Sequence, residues 1–153
     1  MNGYYGKAAP FVRRYFDKVQ ALAKTFDPLK NPLRINIDPR VEVDPRTAGL
    51  TDAFLEEGEA IFKDALEAVR DDPADWWRVR RTALTVDYCL ARRDGPGRKS
   101  HIRELRKAMA RVEAEGAGVI RLSNGAGALK DRRIQEEFDR VLSAPDVNDE
   151  KRR

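Results

Sequence analysis

A chain of 153 residues with 41% hydrophobic and 37% charged side chains is large enough to bury a real core, yet carries more charge than an ordinary soluble domain. No apolar run approaches the roughly 18 residues a membrane-spanning helix needs, and the first residues hold no apolar stretch of the signal-peptide kind. A single cysteine, Cys89, and a single histidine, His101, exclude an intrachain disulfide framework and zinc or iron sites of the usual ligand types. A carboxylate-only magnesium or calcium site stays open, but Glu56, Glu57 and Glu59 point to different sides of their helix and no EF-hand spacing is present, so no cofactor is expected.

The hydrophobic spacing predicts an all-α fold, an open array or bundle of about five helices over residues 1–145 with a polar tail over 146–153. Helix one is predicted over 8–26, with Pro10 in the first turn, where its missing N–H costs nothing. Phe11, Val12, Tyr15, Phe16, Val19, Leu22, Ala23 and Phe26 share one wide, aromatic face. Pro28 ends the helix, because the residue before a proline is pushed out of the α region. Residues 27–50 then form a long extended arm between helices one and two. Its apolar residues alternate (Leu33, Ile35, Ile37, then Val41, Val43) and its prolines mark turns. The arm either packs on the bundle or pairs with a partner.

Helix two is predicted to start at Thr51, a good N-cap, with Asp52 complementing the positive end of the helix dipole. Phe54, Leu55, Ile61, Phe62, Ala65, Leu66 and Val69 line one face, and Gly58 lies among them. A mid-helix glycine costs about 1 kcal/mol against alanine, so a neighbouring helix or aromatic ring should approach closely there. Asp71, Asp72 and Pro73 make a short turn that sets helices two and three antiparallel.

Helix three, over 74–93, is unusual in carrying two apolar stripes. Trp76, Val79, Ala83, Val86 and Leu90 form the first, and Trp77, Leu84 and Tyr88 the second, on a different bearing at about 100° per residue. Arg80 and Asp87 lie between them, on nearly one bearing, as a polar seam. Cys89 reads as a small, half-buried side chain. After the breaker Asp94-Gly95-Pro96-Gly97, helix four is predicted from near Ser100, with Ile102, Leu105, Met109 and Val112 on one stripe and Gly116 and Gly118 at its stop. His101 falls in its first turn, exposed and with no nearby partner to make it a general base. Gly125-Ala126-Gly127-Ala128-Leu129-Lys130 lacks the spacing of a phosphate loop and reads as a turn into helix five, over 129–143, which carries Ile134, Phe138, Val141 and Leu142.

Charge is unevenly distributed. Residues 51–75 hold nine acids and two bases, a net of −7, whereas 76–133 hold fifteen bases and six acids, a net of +9. Opposite charge on neighbouring antiparallel helices favours their pairing, at only ~0–1 kcal/mol for each exposed pair. The bases Arg103, Arg106, Lys107 and Arg111 lie off the apolar stripe of helix four. They allow an alternative reading, a free-standing basic helical module that binds nucleic acid, although no known recognition motif fits.

Three stretches resemble a known bacterial family. The run Gly3-Tyr4-Tyr5-Gly6-Lys7-Ala8-Ala9-Pro10, followed by Tyr15-Phe16, resembles the start of the C-terminal helical part of the family called domain of unknown function 4838. Leu50-Thr51-Asp52-Ala53-Phe54-Leu55 with Ile61-Phe62-Lys63-Asp64-Ala65 is similar to its next helix, and Arg78-Val79-Arg80-Arg81 with Val86-Asp87-Tyr88 to the one after. The likeness covers residues 3–93. Family members are similar to glycoside hydrolases of the α-glucuronidase kind, with the catalytic carboxylates in an N-terminal barrel. The resemblance therefore implies a detached, non-catalytic helical domain that supports a missing barrel or self-associates. It carries no catalytic, cofactor or metal residue onto this sequence, and it leaves the site of action in the cell open. The second stripe and the tyrosine pair supply the expected docking residues: Tyr4, Tyr5, Trp76, Trp77, Leu84 and Tyr88.

Overall fold

The structure, a computed structural model, describes residues 2–25, 50–95, 97–115 and 132–145. The fold is all-α. Among the described residues, five long helices follow in order: α1 (Ala9–Thr25), α2 (Asp52–Ala68), α3 (Pro73–Ala91), α4 (Arg98–Ala114) and α5 (Arg132–Ser143). An N-terminal hook, made of a helical turn (Asn2–Tyr5) and a 3₁₀ turn (Gly6–Ala8), precedes them. The predicted arm (apart from Leu50), the turn around 124–127 and the tail over 146–153 lie outside the described residues.

Local chemistry sets the helix ends. The Thr51 hydroxyl accepts the Phe54 N–H at 3.2 Å and caps α2. Asp72 caps α3 by accepting from Ala74 N and Asp75 N at 3.0 and 2.9 Å, with Pro73 in the first turn. Helix α4 begins at Arg98 rather than near Ser100. Gly97 sits at φ 83°, a conformation open to glycine, and its carbonyl already accepts the His101 N–H at 3.0 Å. The chain has therefore turned before Ser100, which lies inside the helix.

Two cores form, one on each side of α3. The first joins α1 and α2 to α3 through Val12, Tyr15, Ile61, Phe62, Val79 and Val86. The second joins α4 and α5 to the opposite side of α3 through Trp77, Leu84, Ile102, Leu105, Ile134 and Phe138. Burying each of these side chains removes apolar surface worth roughly 1.5–3 kcal/mol. Half-buried Trp76 packs against both. Gly58 lies where a Cβ would come within 3.2 Å of the Tyr15 ring and 3.4 Å of Val86, the close approach its position in the sequence called for. The aromatic face of α1 is only partly used: Val12 and Tyr15 are buried, but Phe16, at the edge of the arc, is 36% exposed.

Candidate functional site

The hook is a built substructure. Tyr4 and Tyr5 meet edge to face, ring centroids 4.8 Å apart. The Tyr5 hydroxyl shares a 3.1 Å hydrogen bond with the Thr82 hydroxyl on α3. The Arg78 guanidinium stands 5.3 Å from the Tyr4 ring centroid, donates to the Tyr4 carbonyl at 3.3 Å and pairs with Asp75 at 2.5 Å. Both tyrosines are thus held against the N-terminal half of α3, while the Tyr4 side chain remains 52% exposed.

The other predicted docking residues have different surroundings. Trp77 and Leu84 are buried in the second core, and Tyr88 is half-buried against it. The second stripe of α3 is therefore covered by α4 and α5 within this chain. Trp77 is also fixed at its polar edge: its indole N–H donates to Glu115 at 2.7 Å, and the Arg111 guanidinium stacks 4.1 Å from its ring centroid. Hydrogen bonds from Arg111 and Trp77 hold the Glu115 carboxyl below the usual carboxylate range. Trp76 and Tyr5 are half-buried, so Tyr4 is the one docking candidate that is broadly exposed.

The basic residues of α3 and α4 are heavily committed to carboxylates. Arg80 pairs with Asp87 along the predicted seam, and Arg93 pairs with Asp52. Glu137 of α5 receives Arg92 at 2.5 Å and also Arg98, whose Nε donates to the Ala91 carbonyl at 2.9 Å. Arg106 reaches Asp139 at 2.8 Å, Lys107 pairs with Glu104 at 2.8 Å, and Arg111 with Glu115 at 2.9 Å. The pairs of Arg92, Arg93, Arg98 and Arg106 join separate helical elements, whereas Arg80–Asp87, Lys107–Glu104 and Arg111–Glu115 are each local to one helix; every charge so engaged has less to offer a phosphate backbone. Arg81 and Arg103 make no ion pair among the described residues.

His101 is not an exposed first-turn residue. It is half-buried, with Nε2 3.7 Å from Glu59 Oε1, a contact that crosses from α4 to α2. Its sequence neighbours gave no sign of this, because the partner lies on another helix. Cys89 is buried, and desolvation pushes its thiol up to about 11. Such a thiol is a poor nucleophile near neutrality.

Among the described residues, a groove of about 690 Å³ lies between α2 and α4, floored by α3. Trp76, Phe62 and Leu66 give its apolar portion, and Glu56, Glu59, Glu104 and Asp87 its acidic portion. Its size falls within the range of about 300–1,000 Å³ usual for ligand clefts. Among the described residues, no group of three or more histidine, cysteine or carboxylate side chains is placed to hold a metal ion, and no helix is long and apolar enough to cross a membrane. Comparison of the chain with protein-family models, with curated proteins and with solved structures finds no match.

Proposed function

We propose that this chain is a non-catalytic helical module that works by docking, through its N-terminal hook, onto a larger protein or a second copy of itself. By the resemblance of residues 3–93, the larger protein is the catalytic barrel of a carbohydrate-active, glycoside-hydrolase-like enzyme. The observation that supports the reading is Tyr4. Its ring is clamped by Tyr5 and Arg78, so little side-chain entropy remains to be lost on binding, yet 52% of the residue is exposed. An immobilised aromatic beside an arginine is the composition of an interface hot spot.

Light scattering and dye binding on the isolated chain test the reading. A chain that lacks its partner should self-associate at tens of micromolar or bind an apolar-surface dye, and Tyr4→Ala should weaken either effect about five-fold or more. A monodisperse monomer with no dye binding would count decisively against docking. Steeply salt-dependent binding to DNA or RNA would instead support the basic-module reading.

A further inference from the structure

The groove over α3 is separate from the hook and is polarised along its length. Trp76 and Asp87 both line it and lie eleven residues apart on α3, about 16 Å of helix. At the Trp76 end, Phe62 and Leu66 of α2 complete an apolar wall. At the Asp87 end, Glu59 of α2 and Glu104 of α4 come from opposite sides, and the His101–Glu59 contact bridges the two walls. The internal pairs leave a charge imbalance. Arg70 is taken up by Glu67, Arg80 by Asp87 and Glu104 by Lys107, so Glu56 and Glu59 remain against Lys63 among the lining groups. This excess of negative charge occurs in a chain whose net charge is +4. Lys107 stands outside the lining and holds the Glu104 carboxyl below the usual range. Glu56 has no ion pair among the described residues, and Glu59 has only His101.

We infer that this groove binds a small amphiphilic cation, an ammonium or guanidinium group joined to an apolar body about 10 Å long. The cationic head lies among Glu56, Glu59 and Glu104, and the body lies along Ala83 and Phe62 toward Trp76. Charge complementarity selects the head, and apolar contact on the aromatic floor selects the body. Neither half alone accounts for a groove that is acidic at one end and aromatic at the other.

The test titrates the full chain with n-octylammonium, octanoate, octanol and spermidine at matched ionic strength, by calorimetry and by tryptophan emission. Octylammonium should bind with Kd of about 0.1–1 mM and change the emission of Trp76, which lines the groove. Octanoate, octanol and spermidine should each bind at least about ten-fold more weakly. The double variant E59Q/E104Q should weaken octylammonium binding about three- to ten-fold. E136Q, which removes one carboxylate on exposed α5 away from the groove, should leave it unchanged. Trp76→Leu should abolish the emission change and weaken the calorimetric binding, while Trp77 in the second core still fluoresces. Equal binding of octanol would remove the role of the carboxylates, and equal binding of spermidine that of the apolar floor; either result overturns the inference. So does the absence of heat and emission change with unmodified protein at about 10 mM octylammonium.

Discussion

The seam between the two cores makes a quantitative prediction. The Arg80 and Asp87 side chains pair with only 10% and 14% of their surface exposed, so Asp87→Ala leaves a guanidinium with little access to water. Removing one partner of a fully buried pair costs about 3–5 kcal/mol. Arg80 keeps some relief here, because the Glu104 carboxylate feels its charge and the groove admits solvent. The expected loss is therefore about 2–4 kcal/mol, a large share of the roughly 5–15 kcal/mol that holds such a domain folded. Replacing both partners removes the stranded charge. R80M/D87L should lie within about 1 kcal/mol of the parent, giving a coupling of at least about 1.5 kcal/mol. Urea unfolding followed by circular dichroism measures Asp87→Ala and the cycle of the parent, R80M, D87L (which strands the same guanidinium as Asp87→Ala) and R80M/D87L, and a constant slope confirms that only stability has changed. If Asp87→Ala costs under about 0.5 kcal/mol, or if the two single losses simply add in the double variant, the seam is not a coupled ion pair and the reasoning fails.

Two further predictions concern Tyr15 and its surroundings. Gly58→Ala gains about 1 kcal/mol of helix propensity but forces its Cβ to 3.2 Å from a Tyr15 ring that Phe62 holds at 4.7 Å between centroids; overpacking costs about 1–3 kcal/mol, so a net destabilisation of about 1 kcal/mol is expected in urea, and a gain in stability would show that Tyr15 moves freely. Burial raises Cys89 from 9.0 to about 11 and Tyr15 from 10.0 to about 12. Both groups are neutral when protonated, so their contribution is fully present below the unfolded values and is lost as pH rises from about 9 through 12. Cys89 alone should account for about 2–3 kcal/mol of that loss, and Cys89→Ala should flatten the urea midpoint between pH 9 and 11; a midpoint equally steep in the variant would assign the loss elsewhere.

Much of the fold is written in local pattern. The two stripes of α3 announced a helix with neighbours on two sides, and the seven-residue spacing of Arg80 and Asp87 announced the seam between them. Thr51 and Gly58 also declared their roles, because a cap and a close approach depend on what lies within a turn or on one absent side chain. What periodicity could not supply was the identity of the covering helix. The stripe of Trp77, Leu84 and Tyr88 looks the same in sequence whether α4 and α5 or another protein lies over it. The same limit hid the partners of the charged residues. Arg98 meets Glu137 thirty-nine positions away, and His101 meets Glu59 across two helices. The groove was illegible for this reason too, since its walls come from helices joined only through the fold.

The placement of α3 also bears on how the molecule comes apart. Each apolar cluster uses a different side of the same helix, so neither can lose its share of α3 without exposing the other. Helix α5 enters only one of them, through Ile134 and Phe138. It can detach at the expense of that cluster alone. Backbone amides of α5 should exchange by partial opening, whereas those in the middle of α3 should exchange only when the whole molecule unfolds. One helix thereby turns two small hydrophobic clusters into a single cooperative unit.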